Sequence, residues 1–223
     1  VVCPGAQASL AAEAQFFQGP LTFDLYSRHG EPLIFTTWAG HAWGGINRFV
    51  VTDDKGNQIA GARLDNDATV AHNIEVPHPG LYHMGYTDKG SGWQFQAAPG
   101  QAATIAMGQS GDFRSTKPLP DMYFYVPVGT RTIEYFYAKK HFQIGGPHQV
   151  LDPDGHLQQS VNVDGDYVQV PVPAGMDGKL WRFHDASLGL FWFSNIPNYL
   201  AVSPQGLLVP REVALKDGLR LAK

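Results

Sequence analysis

The strongest restriction on the fold of this chain is that it writes one long pattern twice. Residues 50–84 read VVTDDKGNQIAGARLDNDATVAHNIEVPHPGLYHM, and residues 150–183 read VLDPDGHLQQSVNVDGDYVQVPVPAGMDGKLWRF. Asp53-Asp54-Lys55-Gly56 stands where Asp152-Pro153-Asp154-Gly155 stands, and Leu81-Tyr82-His83-Met84 answers Leu180-Trp181-Arg182-Phe183. The correspondence runs outward: 21–25 against 122–126, 33–38 against 131–137, the loop 39–47 against 139–147, and Trp93-Gln94-Phe95 against Phe191-Trp192-Phe193. A period this long exceeds a solenoid unit and matches a domain with its own core.

Within each copy, short alternating runs are divided by turn residues. Val168, Val170 and Val172 fall on one face of a strand and Gln169 on the other; Tyr82, Met84 and Tyr86 share a face, as do Trp181 and Phe183. The same alternation makes Trp93, Phe95, Phe191 and Phe193 core residues and turns Trp192 outward. With Gly 25 and Pro 16 in 223 residues, turns are plentiful. The fold class expected is all-β: two tandem antiparallel β-sandwich (jelly-roll-like) domains related by internal duplication, residues 1–115 and 116–223, the second with a C-terminal extension.

Three stretches stand outside this scheme. Residues 8–18 read as a helical turn or an opening edge strand, and 109–121 as a polar, proline-bearing connector. The tail from 196 onward has no counterpart in the first copy; 209–221 fits a short terminal helix or extended packing. Residues 104–107 are expected to close the first sandwich.

The formal net charge of −4 disfavours nucleic acid, which wants a basic face. No apolar run approaches the roughly 18 residues of a membrane span. No leader is visible, which fits a cytosolic or an already trimmed chain. A single cysteine, Cys3, rules out an internal disulfide.

The order strand, x-D-P-D-G-x, strand, Asp-bearing turn, then V-x-V-P-x-x-G-x-L/Y-x-F resembles the jelly-roll modules appended to secreted bacterial enzymes. These are bacterial pre-peptidase C-terminal-like domains and β-sandwich carbohydrate-binding modules. The resemblance covers most of both halves. It implies a module that binds a polysaccharide or insoluble protein, or packs on a neighbouring catalytic domain, in a secreted or periplasmic bacterial setting. Some relatives of that kind carry structural calcium, although no EF-hand-like run of ligands occurs here.

The loop holding His41 and Trp43, with Trp38 before it and Asn47 at its end, is the leading candidate for ligand contact. Aromatic rings beside glycines suit stacking on the C–H faces of sugars, with His41 and Asn47 fixing hydroxyls. The alternative is that both tryptophans plug the end of the sandwich. The corresponding loop offers Tyr137, Lys139 and His141, fit either for an acidic glycan or for a solvated edge. Asp65 and Asp67, with Asp164 and Asp166, form a repeated D-x-D that either shares a calcium ion or serves turn chemistry. No zinc spacing and no nucleophile motif occurs.

The function these features favour is a non-catalytic polysaccharide-binding pair of modules, accessory to a secreted carbohydrate-active enzyme. A structural module that packs on a neighbouring domain or protomer, suggested by the apolar tail, is the alternative. A polysaccharide lyase or metal-dependent enzyme is the third.

Overall fold

Alternating side chains and glycine-bearing turns lead the chain into short strands. The computed structural model describes residues 15–90, 92–107, 119–138, 148–184 and 190–219. The first half supplies β1 (Gln15–Phe17), β2 (Leu21–Ser27), β3 (Leu33–Ala39), β4 (Asn47–Asp53), β5 (Gln58–Leu64), β6 (Thr69–Ile74), β7 (Gly80–Thr87), β8 (Trp93–Ala97) and β9 (Ala102–Ala106). The second supplies β10 (Met122–Val126), β11 (Thr132–Ala138), β12 (His148–Leu151), β13 (Leu157–Val161), β14 (Asp166–Pro171), β15 (Lys179–His184), β16 (Leu190–Phe193) and β17 (Tyr199–Leu200). One short helix, α1 (Arg211–Lys216), follows. Among the described residues no helix is long and apolar enough to cross a membrane.

The strands pair antiparallel in sheets, the sandwich-like organisation expected from the alternation. One sheet of the first half runs β1-β8-β3-β6 and the other β17-β9-β2-β7-β4-β5. In the second half the sheets run β14-β11-β16 and β10-β15-β12-β13. Read side by side, β8-β3-β6 has the order of β16-β11-β14, and β2-β7-β4-β5 the order of β10-β15-β12-β13.

The same local chemistry turns the chain at matching places. Asp53 Oδ1 accepts hydrogen bonds from the amides of Lys55 and Asn57 at 2.9 and 2.8 Å. Asp152 Oδ1 accepts from Asp154 and His156 at the same distances. Gly56 and Gly155 take up φ of 82° and 86°, which a side chain would resist.

Aromatic rings fill the space between facing sheets. In the first half Tyr86 stacks flat on Trp93, centroids 3.7 Å apart, and Phe23 stacks on Phe95 at 4.0 Å. In the second, Phe124, Tyr135, Phe183, Phe191 and Phe193 interlock, all fully or almost fully buried. Trp192 faces outward as alternation predicts and stacks on Phe136 at 4.2 Å.

The tail joins the halves. β9, the last strand of the first half, pairs with β2 on one side and with β17 of the tail on the other. Just past β17, Ala201 exchanges backbone bonds with Tyr123 of β10, at 2.6 and 3.0 Å. The chain then crosses the outer side of β9. There the buried Thr104 hydroxyl donates to the Gly206 carbonyl (2.6 Å) and accepts from the Leu208 amide (2.7 Å). Leu207, Val209, Ala201 and Tyr125 form a second, smaller core. Asp217, at the end of α1, accepts from the Tyr125 hydroxyl and the Val128 amide, both at 2.9 Å.

Thr104→Val keeps the shape but strands two buried backbone groups, so a loss of about 2–4 kcal/mol is expected. In a chain of this size that lowers the melting temperature by roughly 5 °C or more. Thr104→Ser, which retains the hydroxyl, should recover most of it. Equal melting of Thr104→Val and wild type by calorimetry would remove this contact as the seam's anchor.

Candidate functional site

The loop between β3 and β4 is tied down at its base and open at its tip. Asn47, 1% exposed, donates from its amide nitrogen to the Gly40 carbonyl at 2.8 Å and accepts from the Lys89 amide at 2.9 Å. The Trp43 amide donates to the Lys89 carbonyl (2.9 Å) and Gly40 to that of Gly92 (2.8 Å). Asn66 receives the Ala42 amide at 3.0 Å and sets its own amide nitrogen 3.4 Å from His41 Nδ1. Ala42 also bridges to Gly90, where a Cβ would collide with the His41 carbonyl. Only glycine lets the two loops approach so closely.

From this seat Trp43 projects, 77% exposed, with the His41 ring edge-on at 5.4 Å. Ile46 beside it is also exposed. Trp38 lies elsewhere: it is half-buried on the outer face of β3 and tilted against Phe16, centroids 6.2 Å apart. Asn47 is a brace of the loop, both ends of its amide held by backbone.

The second half distributes its candidates differently. Tyr137 is completely buried, and burial raises its hydroxyl pKa to about 12, with the Asp164 charge adding to the rise. Lys139 and His141 lie outside the described residues. Asp65, Asp67 and Asp164 are exposed residues of turns, and Asp67 has φ of 58°; Asp166, also exposed, opens β14 opposite Tyr137. No group of three or more His, Cys, Asp or Glu among the described residues is placed to hold a metal ion.

Sequence reasoning did not single out one arrangement. On the outer face of the β14-β11-β16 sheet, register puts Tyr167 opposite Phe136 and Phe136 opposite Trp192. The Tyr167 ring meets Phe136 edge-on at 5.3 Å and is 59% exposed. The first half has Thr69, Trp38 and Gln94 in the corresponding row. Outward alternation of Trp192 was the visible signal; the row itself depends on strand register.

Three histidines titrate in opposite senses. His148 is buried with Nε2 2.7 Å from the Tyr135 hydroxyl, and burial lowers its pKa to about 4. Burial also lowers the pKa of His72, whose Nε2 lies 2.8 Å from the Thr37 hydroxyl. His83 is raised by its hydrogen bond to Asp24 at 2.7 Å, against an opposing effect of burial.

The sequence matches no protein-family model and no curated protein.

Asn47→Ala leaves Gly40 and Lys89 backbone groups without partners. It should cost roughly 1–3 kcal/mol and lower the melting temperature, measured by calorimetry. His148 favours the neutral ring in the fold, so its contribution is complete above its ordinary pKa of 6.5 and fades as pH falls towards 4. The full effect is on the order of 3 kcal/mol. His83 acts oppositely: its contribution holds below pH 6.5 and is lost as pH rises through its raised value. Melting temperature of His148→Gln, which keeps an acceptor for Tyr135, should fall less between pH 7 and 4.5 than that of wild type. Parallel curves would refute the assignment to His148.

Proposed function

We propose that this chain is a non-catalytic glycan-binding protein built from a duplicated β-sandwich, acting beside a secreted or periplasmic carbohydrate-active enzyme. The observation that carries this reading is Trp43, an indole 77% exposed on a loop whose base is fixed by backbone and Asn47 bonds. A large apolar ring held in water forgoes roughly 1.5–3 kcal/mol of burial that a ligand's C–H face can restore. The rigid seat lowers the ordering cost of binding. His41 and Asn66 flank the ring with polar groups suited to sugar hydroxyls. The shared strand order of the halves and their matched Asp turns support the duplication.

A second reading has its own observation. The outward row of Tyr167, Phe136 and Trp192 is an apolar strip of the kind that packs on a neighbouring domain or protomer. The tail residues that first suggested such packing are instead buried inside this chain, Leu200, Leu207 and Val209 among them.

Affinity electrophoresis through gels containing polysaccharides tests the first reading. Wild type should be retarded by at least one glycan, and Trp43→Ala should weaken that retention on the order of ten-fold, about 1.4 kcal/mol. Unchanged retention in Trp43→Ala would exclude the loop. A concentration-dependent mass in light scattering that Tyr167→Glu abolishes would favour the second reading.

A further inference from the structure

At the seam between the second sandwich and the tail lies a cleft of about 750 Å³, within the size range of small-molecule sites. Its sides are the turn between β10 and β11, residues 194–197, and helix α1. We infer that this cleft binds a sugar bearing one carboxylate, as the charged end of a glycan whose neutral part lies outside it. The inference rests on the glycan-binding reading and specifies a second site for it, separate from Trp43.

Charge is the first observation. Arg131 and Lys216 both line the cleft, and neither side chain has an ion-pair or hydrogen-bond partner among the described residues, although the Arg131 carbonyl accepts from the Val172 amide at 2.9 Å. A protein with an overall charge of −4 thus presents two free cations towards one cavity. Glu212 lines it too, its side chain also without an ion pair or hydrogen bond among the described residues though its charge, like that of Asp24, acts on Tyr199, so the charged lining residues sum to one net positive charge. That balance suits a single carboxylate better than a polyanion, which Glu212 and the overall charge would repel.

Wall chemistry is the second. Val213 and Pro197 give rigid apolar surface, and Tyr199 is half-buried beside them, its hydroxyl making no hydrogen bond to another described residue though the Asp24 and Glu212 charges act on it. An apolar wall beside an unengaged hydroxyl matches a sugar ring, with its C–H face and hydroxyl rim. A simple anion would use only the cations.

The cleft also has an exit. Thr132 lines it and begins the outer face of β11, on which Phe136 stands four residues on, about 13 Å away at the rise of a strand. Glu134 lies between them on that face and holds Gln169 at 3.0 Å. A second acidic sugar would meet this carboxylate, so the charge is read in the cleft alone.

Isothermal titration calorimetry on the whole chain tests the inference with four probes: a neutral trisaccharide carrying one uronic acid, its carboxyl-reduced form, a polyuronate, and acetate. The singly acidic trisaccharide should bind, its reduced form about ten-fold or more weakly, and the polyuronate no better per site. Arg131→Ala and Lys216→Ala, both at exposed positions, should each lower affinity for the acidic trisaccharide on the order of ten-fold, with unchanged melting. Trp43→Ala should leave this binding intact. Equal affinity for acidic and reduced forms, indifference to both cation variants, or acetate binding as tightly as the trisaccharide would overturn the proposal. Trp43-dependent retention on glycan gels with no response at the cleft would overturn it while leaving the glycan reading standing. Failure of every glycan in both assays would remove the two together.

Discussion

The structure depends on a two-residue strand. β17 is only Tyr199 and Leu200, yet its backbone pairs with β9, and the next residue pairs with β10. Those bonds make the larger sheets of the two halves neighbours across one hydrogen-bonded seam. Backbone donors at a sheet edge must be satisfied somewhere, and here each half satisfies an edge of the other through a shared intermediary. The covering tail then buries Thr104 and Tyr125, groups that would otherwise face water from adjacent sheets. One buried core runs through both halves, and the seam is sealed on its outer side as well as along its backbone.

Much of this architecture was legible in the residues. Strand placement followed from alternation and from Asp-Gly turns, and the aromatic interior followed from the same parity. Residues such as Tyr82, Trp93, Trp181 and Phe193 lie where their neighbours' pattern puts them. The role of the tail was not legible. Its apolar character signalled burial but not the surface it would cover, since a two-residue strand has no periodicity to read. The pairing of β9 with β17 was hidden for a related reason: nothing local says which strand will come to its free edge.

The site was legible in part. Glycines and tryptophans marked the β3–β4 loop as unusual, and Trp43 does stand in solvent there. Asn47 and Tyr137 look like ligand contacts by residue type, but tertiary packing places both inside, one as a loop brace and the other as core. The aromatic row on the second half and the cleft beside α1 are products of register and chain crossing. Distances of this kind between remote residues are invisible to spacing along the sequence.

The close approach at Gly90 has an evolutionary side. Because any side chain there would displace the His41 carbonyl, that position tolerates little drift, whereas the tip it supports makes few contacts of its own. Selection could exchange the residue at position 43 for another ring, or for none, without disturbing the scaffold beneath. A lineage bearing this loop would be free to change the side chain it displays while the platform stays as it is.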